Sequence, residues 1–217
     1  MITFPGSNCD RDAAVALAAA GARVERLWHA EPTLPRLDLI VLPGGFTYGD
    51  YLRCGAIAAR APVMAEVARR AAAGVAVLGI CNGFQILTEA GLLPGAVLSN
   101  AGLRFICKPV ALEVATGASP FTAGWATGQA ITLPIAHHDG CYVCAPDDLA
   151  RLEDQDRIAF RYLDNPNGSQ GAIAGVLGKG RNVLGLMPHP ERAADPLTGG
   201  VDGMTMLRTL VEALGQR

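Results

Sequence analysis

Val75-Ala76-Val77-Leu78-Gly79-Ile80-Cys81-Asn82-Gly83-Phe84-Gln85-Ile86-Leu87 is the stretch on which the reading of this chain turns. Val75 to Ile80 is apolar without alternation, the pattern of a strand covered on both faces. Cys81-Asn82-Gly83 then leads directly into a helix expected from Phe84 to about Ala90, with Gly91 as its stop. Upstream, Leu37 to Leu42 is a second buried strand that ends in Pro43-Gly44-Gly45. A helix is expected from Ile57 to Ala73, broken or offset by Pro62 and closed by Gly74. Nearer the start lie a short strand at Ile2 to Phe4, an Ala-rich helix from Asp10 to Ala20 and a strand at Val24 to Trp28. Strands alternating with helices in this way predict an α/β fold, a doubly wound, mostly parallel sheet.

After Pro94 the texture changes. Phe105 to Val114, Ile131 to Ile135, Gly140 to Cys144 and Arg157 to Tyr162 read as short strands with no long helix between them. They predict a small antiparallel extension of the same domain. Ile173 to Val176 and Val183 to Met187 return to the buried type, and Met204 to Leu214 is the expected terminal helix. Residues 1–217 are therefore read as one domain.

The hydrophobic fraction of 50% suits a sheet covered on both faces. Lys and Arg total 18 against 20 Asp and Glu, a net charge of −2, which argues against a nucleic-acid partner. No apolar run suggests a membrane span and no basic leader opens the chain, so a soluble, cytoplasmic protein is the expectation. The 6 cysteines are scattered and are expected to be mostly reduced thiols.

Chemistry concentrates at Gly79-Ile80-Cys81-Asn82-Gly83. A reactive side chain on a tight strand-to-helix turn needs small neighbours on both sides, and Gly79 and Gly83 supply them. The helix start favours a Cys81 thiolate. Of the 4 histidines, His189 lies at a strand exit with Glu191 two residues on, so in an extended segment both side chains face the same way. That arrangement lets a carboxylate orient an imidazole toward Cys81. The Asn82 N–H, and the Gly45 N–H after the other buried strand, are the expected oxyanion donors. The bland alternatives are a packed thiol, a surface turn with an ordinary His, and a Gly-Gly turn that is only a turn. Cys141-x-x-Cys144 with His137 and His138 upstream reads as strand alternation rather than a zinc site, and Gly178-Lys179-Gly180 as a hairpin turn rather than a phosphate loop.

These residues resemble the class I glutamine amidotransferase family and, within it, the glutaminase subunits of phosphoribosylformylglycinamidine synthases. The likeness is carried by Phe4-Pro5-Gly6-Ser7-Asn8-Cys9-Asp10, by Leu42 through Arg53, by Gly79 through Leu87, by Asn165-Pro166-Asn167-Gly168-Ser169 and by Leu186 through Arg192. It implies a flavodoxin-like fold and hydrolysis of L-glutamine, with Cys81 as nucleophile, His189 as base and acid, Glu191 as its orienter, and Gly45 and Asn82 as oxyanion donors. Gln85 is implied as a lining of the glutamine pocket; its bland reading is a local hydrogen bond at a helix start. The resemblance implies no cofactor or metal in this chain. ATP and magnesium belong to a separate synthetase subunit, which takes the ammonia, and a small third subunit is expected. Two departures stand out. Met1 directly precedes the first strand, where relatives usually carry a few more residues, and His137-His138-Asp139-Gly140 stands where they more often have His-Gly-Glu-Gly. A thiol hydrolase or cysteine peptidase-like protein on the same scaffold, and a non-catalytic interaction subunit, are the alternatives.

Overall fold

In a computed structural model, residues 1–197 and 199–215 are described. The elements in chain order are β1 (Ile2–Thr3), α1 (Asp10–Ala19), β2 (Leu27–Trp28), β3 (Leu39–Leu42), α2 (Val63–Ala72), β4 (Ala76–Ile80) and α3 (Asn82–Glu89). They continue with β5 (Ala96–Ser99), β6 (Ile106–Val114), β7 (Ala130–His137), β8 (Asp139–Val143), α4 (Pro146–Asp154), β9 (Ile158–Tyr162), β10 (Ile173–Leu177), β11 (Val183–Leu186) and α5 (Asp202–Gly215).

The main sheet has seven strands in the order β3-β4-β11-β10-β9-β6-β7. β3, β4 and β11 run parallel, with Leu42 opposite Gly79 and Leu186 opposite Ile80. From β11 onward every pairing is antiparallel. The sheet is thus mixed, and the antiparallel strands expected as a small extension form its second half. Short turns explain this: the Gly178–Asn182 hairpin reverses the chain after β10, closed by Gly178 N–H to Val183 O at 2.8 Å. β1 and β2 make a separate parallel ladder, and β5 and β8 an antiparallel one.

Two helix expectations are corrected. The segment expected as one helix from Ile57 to Ala73 is a 3-10 turn at Ala58–Arg60 followed by α2, because Pro62 forces Ala61 into extended backbone and starts a new helix. α4 lies where no long helix was expected. Pro146 at its first turn and Asp147 and Asp148 behind it are helix-start signals, but the helix is short and its apolar stripe is only Leu149 and Leu152, of which Leu152 alone is buried. Elsewhere the buried apolar side chains join in one cluster spanning both halves of the sheet.

Candidate active site

β4 runs into α3 through Cys81, which holds φ 51° and ψ −106°. A non-glycine residue rarely sits there, and such strain clusters at reactive sites. The flanking glycines are sterically required. A Cβ on Gly83 would lie 2.0 Å from the Leu42 carbonyl oxygen, and one on Gly79 would lie 2.5 Å from Leu87 Cδ1. Cys81 therefore stands where α3 sits directly on the ends of β3 and β4. It is 6% exposed, and its Sγ lies 3.9 Å from Ala136 O.

His189 follows β11 and is anchored by its N–H to Pro134 O at 2.8 Å. Its Nδ1 lies 2.6 Å from Glu191 Oε1, both side chains being almost wholly buried. The pairing was expected from an extended segment. Instead Pro190–Arg192 forms a single 3-10 turn that folds Glu191 back under the ring. Burial opposes the charged imidazole, but the Glu191 carboxylate and Cys81 outweigh it and raise its pKa to about 10. Among the described residues His189 Nε2 has no hydrogen-bond partner, which leaves it able to exchange a proton with a thiol or a leaving group.

Gly44 and Gly45 join this centre from the end of β3. A Cβ on Gly44 would lie 2.9 Å from His189 Cε1, and Gly45 holds φ +150°, with a Cβ there 2.4 Å from Gly6 O. Among the described residues, neither the Gly45 nor the Asn82 N–H donates to a protein acceptor. The Asn82 side chain is occupied: its Oδ1 accepts the Thr47 N–H at 3.2 Å, and its Nδ2 donates to Asp50 Oδ1 at 3.3 Å and to Gln85 Oε1 at 2.8 Å. Gln85 Nε2 donates onward to Asp139 O at 2.7 Å. Gln85 thus bridges α3 to β8. The loop it helps hold carries left-handed backbone at Tyr48, Gly49, Asp50 and Leu52 and exposes Phe46, Tyr51 and Leu52.

Asp139 also receives Cys54 Sγ at 3.4 Å and Ser99 Oγ, and His138 Nδ1 lies 3.3 Å away. His137 is buried apart from them beside Asn100. Sequence reasoning missed Cys9. Its N–H donates to Gly44 O at 3.2 Å, and donor atoms of Cys9, His189 and Glu191 lie within 4.8 Å of one another. Burial pushes its thiol up to about 12 despite Arg192 Nη2 at 3.0 Å, and that guanidinium puts positive charge where a cation would have to sit. The signal was available in the Phe4–Asp10 block, in which Cys9 falls.

The elbow thiol, the carboxylate-backed imidazole and the free N–H pair suit acyl transfer, and the comparisons agree. Residues 1–201 match the CobB/CobQ-like glutamine amidotransferase domain. The chain belongs to the glutamine amidotransferase family. This amidotransferase is 61% identical over 212 residues to phosphoribosylformylglycinamidine synthase subunit PurQ of Cereibacter sphaeroides, covering 97% of this chain and 96% of that one. The same subunit of Rubrobacter xylanophilus is 55% identical over 211 residues, covering 97% and 96%. Among solved structures, PurLQS from Thermotoga maritima is similar with a TM-score of 0.91 and 46% identity, covering 98% of this chain and 96% of that one. The glutaminase domain of Trypanosoma brucei CTPS, at 16% identity and a TM-score of 0.65 over 100% and 94% of the chains, shares the amidotransferase fold.

Proposed function

We propose that this amidotransferase is the glutaminase subunit of a phosphoribosylformylglycinamidine synthase. It hydrolyses L-glutamine to glutamate and ammonia and passes the ammonia to a synthetase subunit. That partner uses ATP and magnesium to convert formylglycinamide ribonucleotide to its amidine in purine biosynthesis, with a small third subunit in the assembly and the cytoplasm as the compartment. The His189–Glu191 pair beside the Cys81 elbow carries the hydrolytic part of this reading. Near-full-length likeness to PurQ subunits carries the choice of synthetase.

Cys81 attacks the carboxamide carbon, and the oxyanion that forms is met by the Gly45 and Asn82 N–H groups. His189, already charged beside Glu191, delivers its proton to the departing nitrogen, while Glu191 holds the ring and stabilises its charged form. Water, activated by the same imidazole, then cleaves the thioester. Gln85 holds the wall of the glutamine pocket by bridging Asn82 to Asp139. The strained, apolar-tipped loop after Gly45 supports activation by the partner, since a contact there shifts the peptide that donates to the oxyanion. Glutamine turnover measured alone and then with synthetase, formylglycinamide ribonucleotide and ATP tests the proposal. The expected result is weak activity that rises at least tenfold in the complex; peptide cleavage indifferent to the partner would overturn it.

A further inference from the structure

Among the described residues β8 is laddered on one side only, to β5, outside the seven-stranded sheet. Even that ladder is interrupted. Leu98 lies opposite Cys141 and Ser99 opposite Asp139, so Gly140 is an extra residue with no counterpart on β5. A bulge of this kind turns the chain and leaves backbone groups to be met by something other than the ladder. Asn167 and Ser169, both buried, meet them. Asn167 Nδ2 donates to Gly140 O at 2.7 Å and to Tyr162 Oη of β9 at 3.4 Å, while its Oδ1 accepts the Ser169 N–H at 3.1 Å. Ser169 Oγ accepts the Tyr142 N–H at 3.0 Å. Two side chains of the loop at residues 165–169 thus stand where a neighbouring strand would be, and through Tyr162 they tie the bulge to the main sheet.

The peptide that enters the bulge is the one Gln85 uses. Gln85 Nε2 donates to Asp139 O at 2.7 Å, and Asp139 immediately precedes Gly140. Helical side chains lean toward the helix start, and Gln85 follows this: its Oε1 accepts from Asn82 Nδ2 at 2.8 Å, one residue from Cys81. A side-chain amide has donor and acceptor ends of similar size, so its neighbours alone decide which way it faces. Asp139 O is the neighbour that requires a donor from Gln85. The Asp139 carboxylate is engaged separately, by Ser99 and Cys54, and those bonds do not fix the plane of the peptide that carries its carbonyl.

We propose that Asn167 is a positioning residue for glutamine binding, an inference that rests on the glutaminase reading above. By holding Gly140 O it fixes the bulge, so that Asp139 O presents a constant acceptor to Gln85 and the Gln85 amide keeps one orientation, Oε1 toward the start of α3 and Nε2 toward β8. With the bulge released, the amide is free to turn over, and its Nε2 then faces the Asn82 Nδ2 donor across the pocket wall. Asn167 acts through Gln85 rather than by contact with substrate. The effect falls on binding, because Cys81 and His189 are anchored independently of β8, by their N–H groups to Leu186 O and Pro134 O.

The test is made in the synthetase complex with Asn167→Asp, which keeps the side-chain volume and the acceptor for the Ser169 N–H but removes the donor to Gly140 O. It is expected to raise KM for glutamine about fivefold to tenfold, the scale of one hydrogen bond, with kcat changed less than about twofold. Alkylation of Cys81 by iodoacetamide, which needs no glutamine pocket, should keep the wild-type rate. A double-mutant cycle decides the route: in a Gln85→Ala background, Asn167→Asp should add less than about twofold to KM, because the link it acts through is already gone. Circular dichroism identifies folded variants, and Asn167→Ala, which buries no charge, replaces Asn167→Asp if the latter fails to fold. Effects that multiply across the two sites in folded protein, or a loss confined to kcat, would overturn the inference and leave the glutaminase reading intact. A wild-type complex that does not turn over glutamine would overturn that reading instead.

Discussion

Asn82 Oδ1 accepts the Thr47 N–H, so the residue that follows the nucleophile fastens the loop that follows Gly45. In the proposed mechanism one residue offers its own N–H to the oxyanion and, through its side chain, holds the strand exit that offers the other. Asn82→Ala keeps the backbone donor but releases Thr47, Asp50 and Gln85. Loss of one aligned oxyanion donor costs about 3 kcal/mol, or roughly a hundredfold in rate. Asn82→Ala is therefore expected to lower kcat by tens- to a hundredfold while the stoichiometry of Cys81 labelling is kept. Unchanged kcat in steady-state assays would separate the loop from the oxyanion site.

Labelling distinguishes the two thiols near His189. A glutamine-mimicking electrophile should modify Cys81 stoichiometrically and spare Cys9, whose thiol burial holds near 12 and which therefore carries almost no thiolate at neutral pH. Peptide mapping by mass spectrometry reads the outcome, and modification centred on Cys9 would reassign the nucleophile.

Proton transfer separates the members of the triad. His189→Ala should cut glutaminase activity by at least about a hundredfold with the fold intact, because in the proposed mechanism it removes the acid and base of both half-reactions. Glu191→Gln should cost less, since an amide can still accept from Nδ1. Comparable loss in the two variants would mean that the Glu191 charge, rather than its hydrogen bond, is the larger contribution.

Stability should fall in acid because of His137. Its folded pKa of about 4 lies below the unfolded 6.5, so the unfolded chain binds the proton more readily. The contribution is complete above pH 6.5 and is lost as pH falls through 4, by about 3 kcal/mol at most. His189, with its pKa raised to about 10, acts in the opposite sense: its contribution is full below pH 6.5 and is lost as pH rises through 10. Urea denaturation from pH 7 to 4 should show the acid loss in wild-type protein and a shallower one in His137→Gln. Identical slopes would exclude His137 as its source.

The elbow and its glycines were legible because sterics there act within a few residues: Gly79, Cys81 and Gly83 are adjacent in sequence as well as in space. His189 with Glu191 was legible for the same reason, although the turn that joins them was not, since an i to i+2 spacing fits both an extended strand and a 3-10 turn. Cys9 was missed because its approach to His189 depends on how the first loop folds over Gly44. The mixed sheet was only half legible. Strand identity follows from short apolar runs, but whether a strand runs parallel or antiparallel is set by the connections and by distant partners such as β6 with β9.

Gly83 meets the Leu42 carbonyl with no side chain between them, and this divides the site by timescale. α3, the end of β3 and the end of β4 form one body that cannot part without exposing the core. In hydrogen–deuterium exchange, the amides of Ile80 to Leu87 should be released only with global unfolding, whereas those of Phe46 to Leu52 should exchange through local opening. In the proposed reaction, substrate enters past the second group while chemistry occurs on the first. Turnover then has a clock: the opening frequency of seven loop residues sets how often a permanently assembled nucleophile can be used.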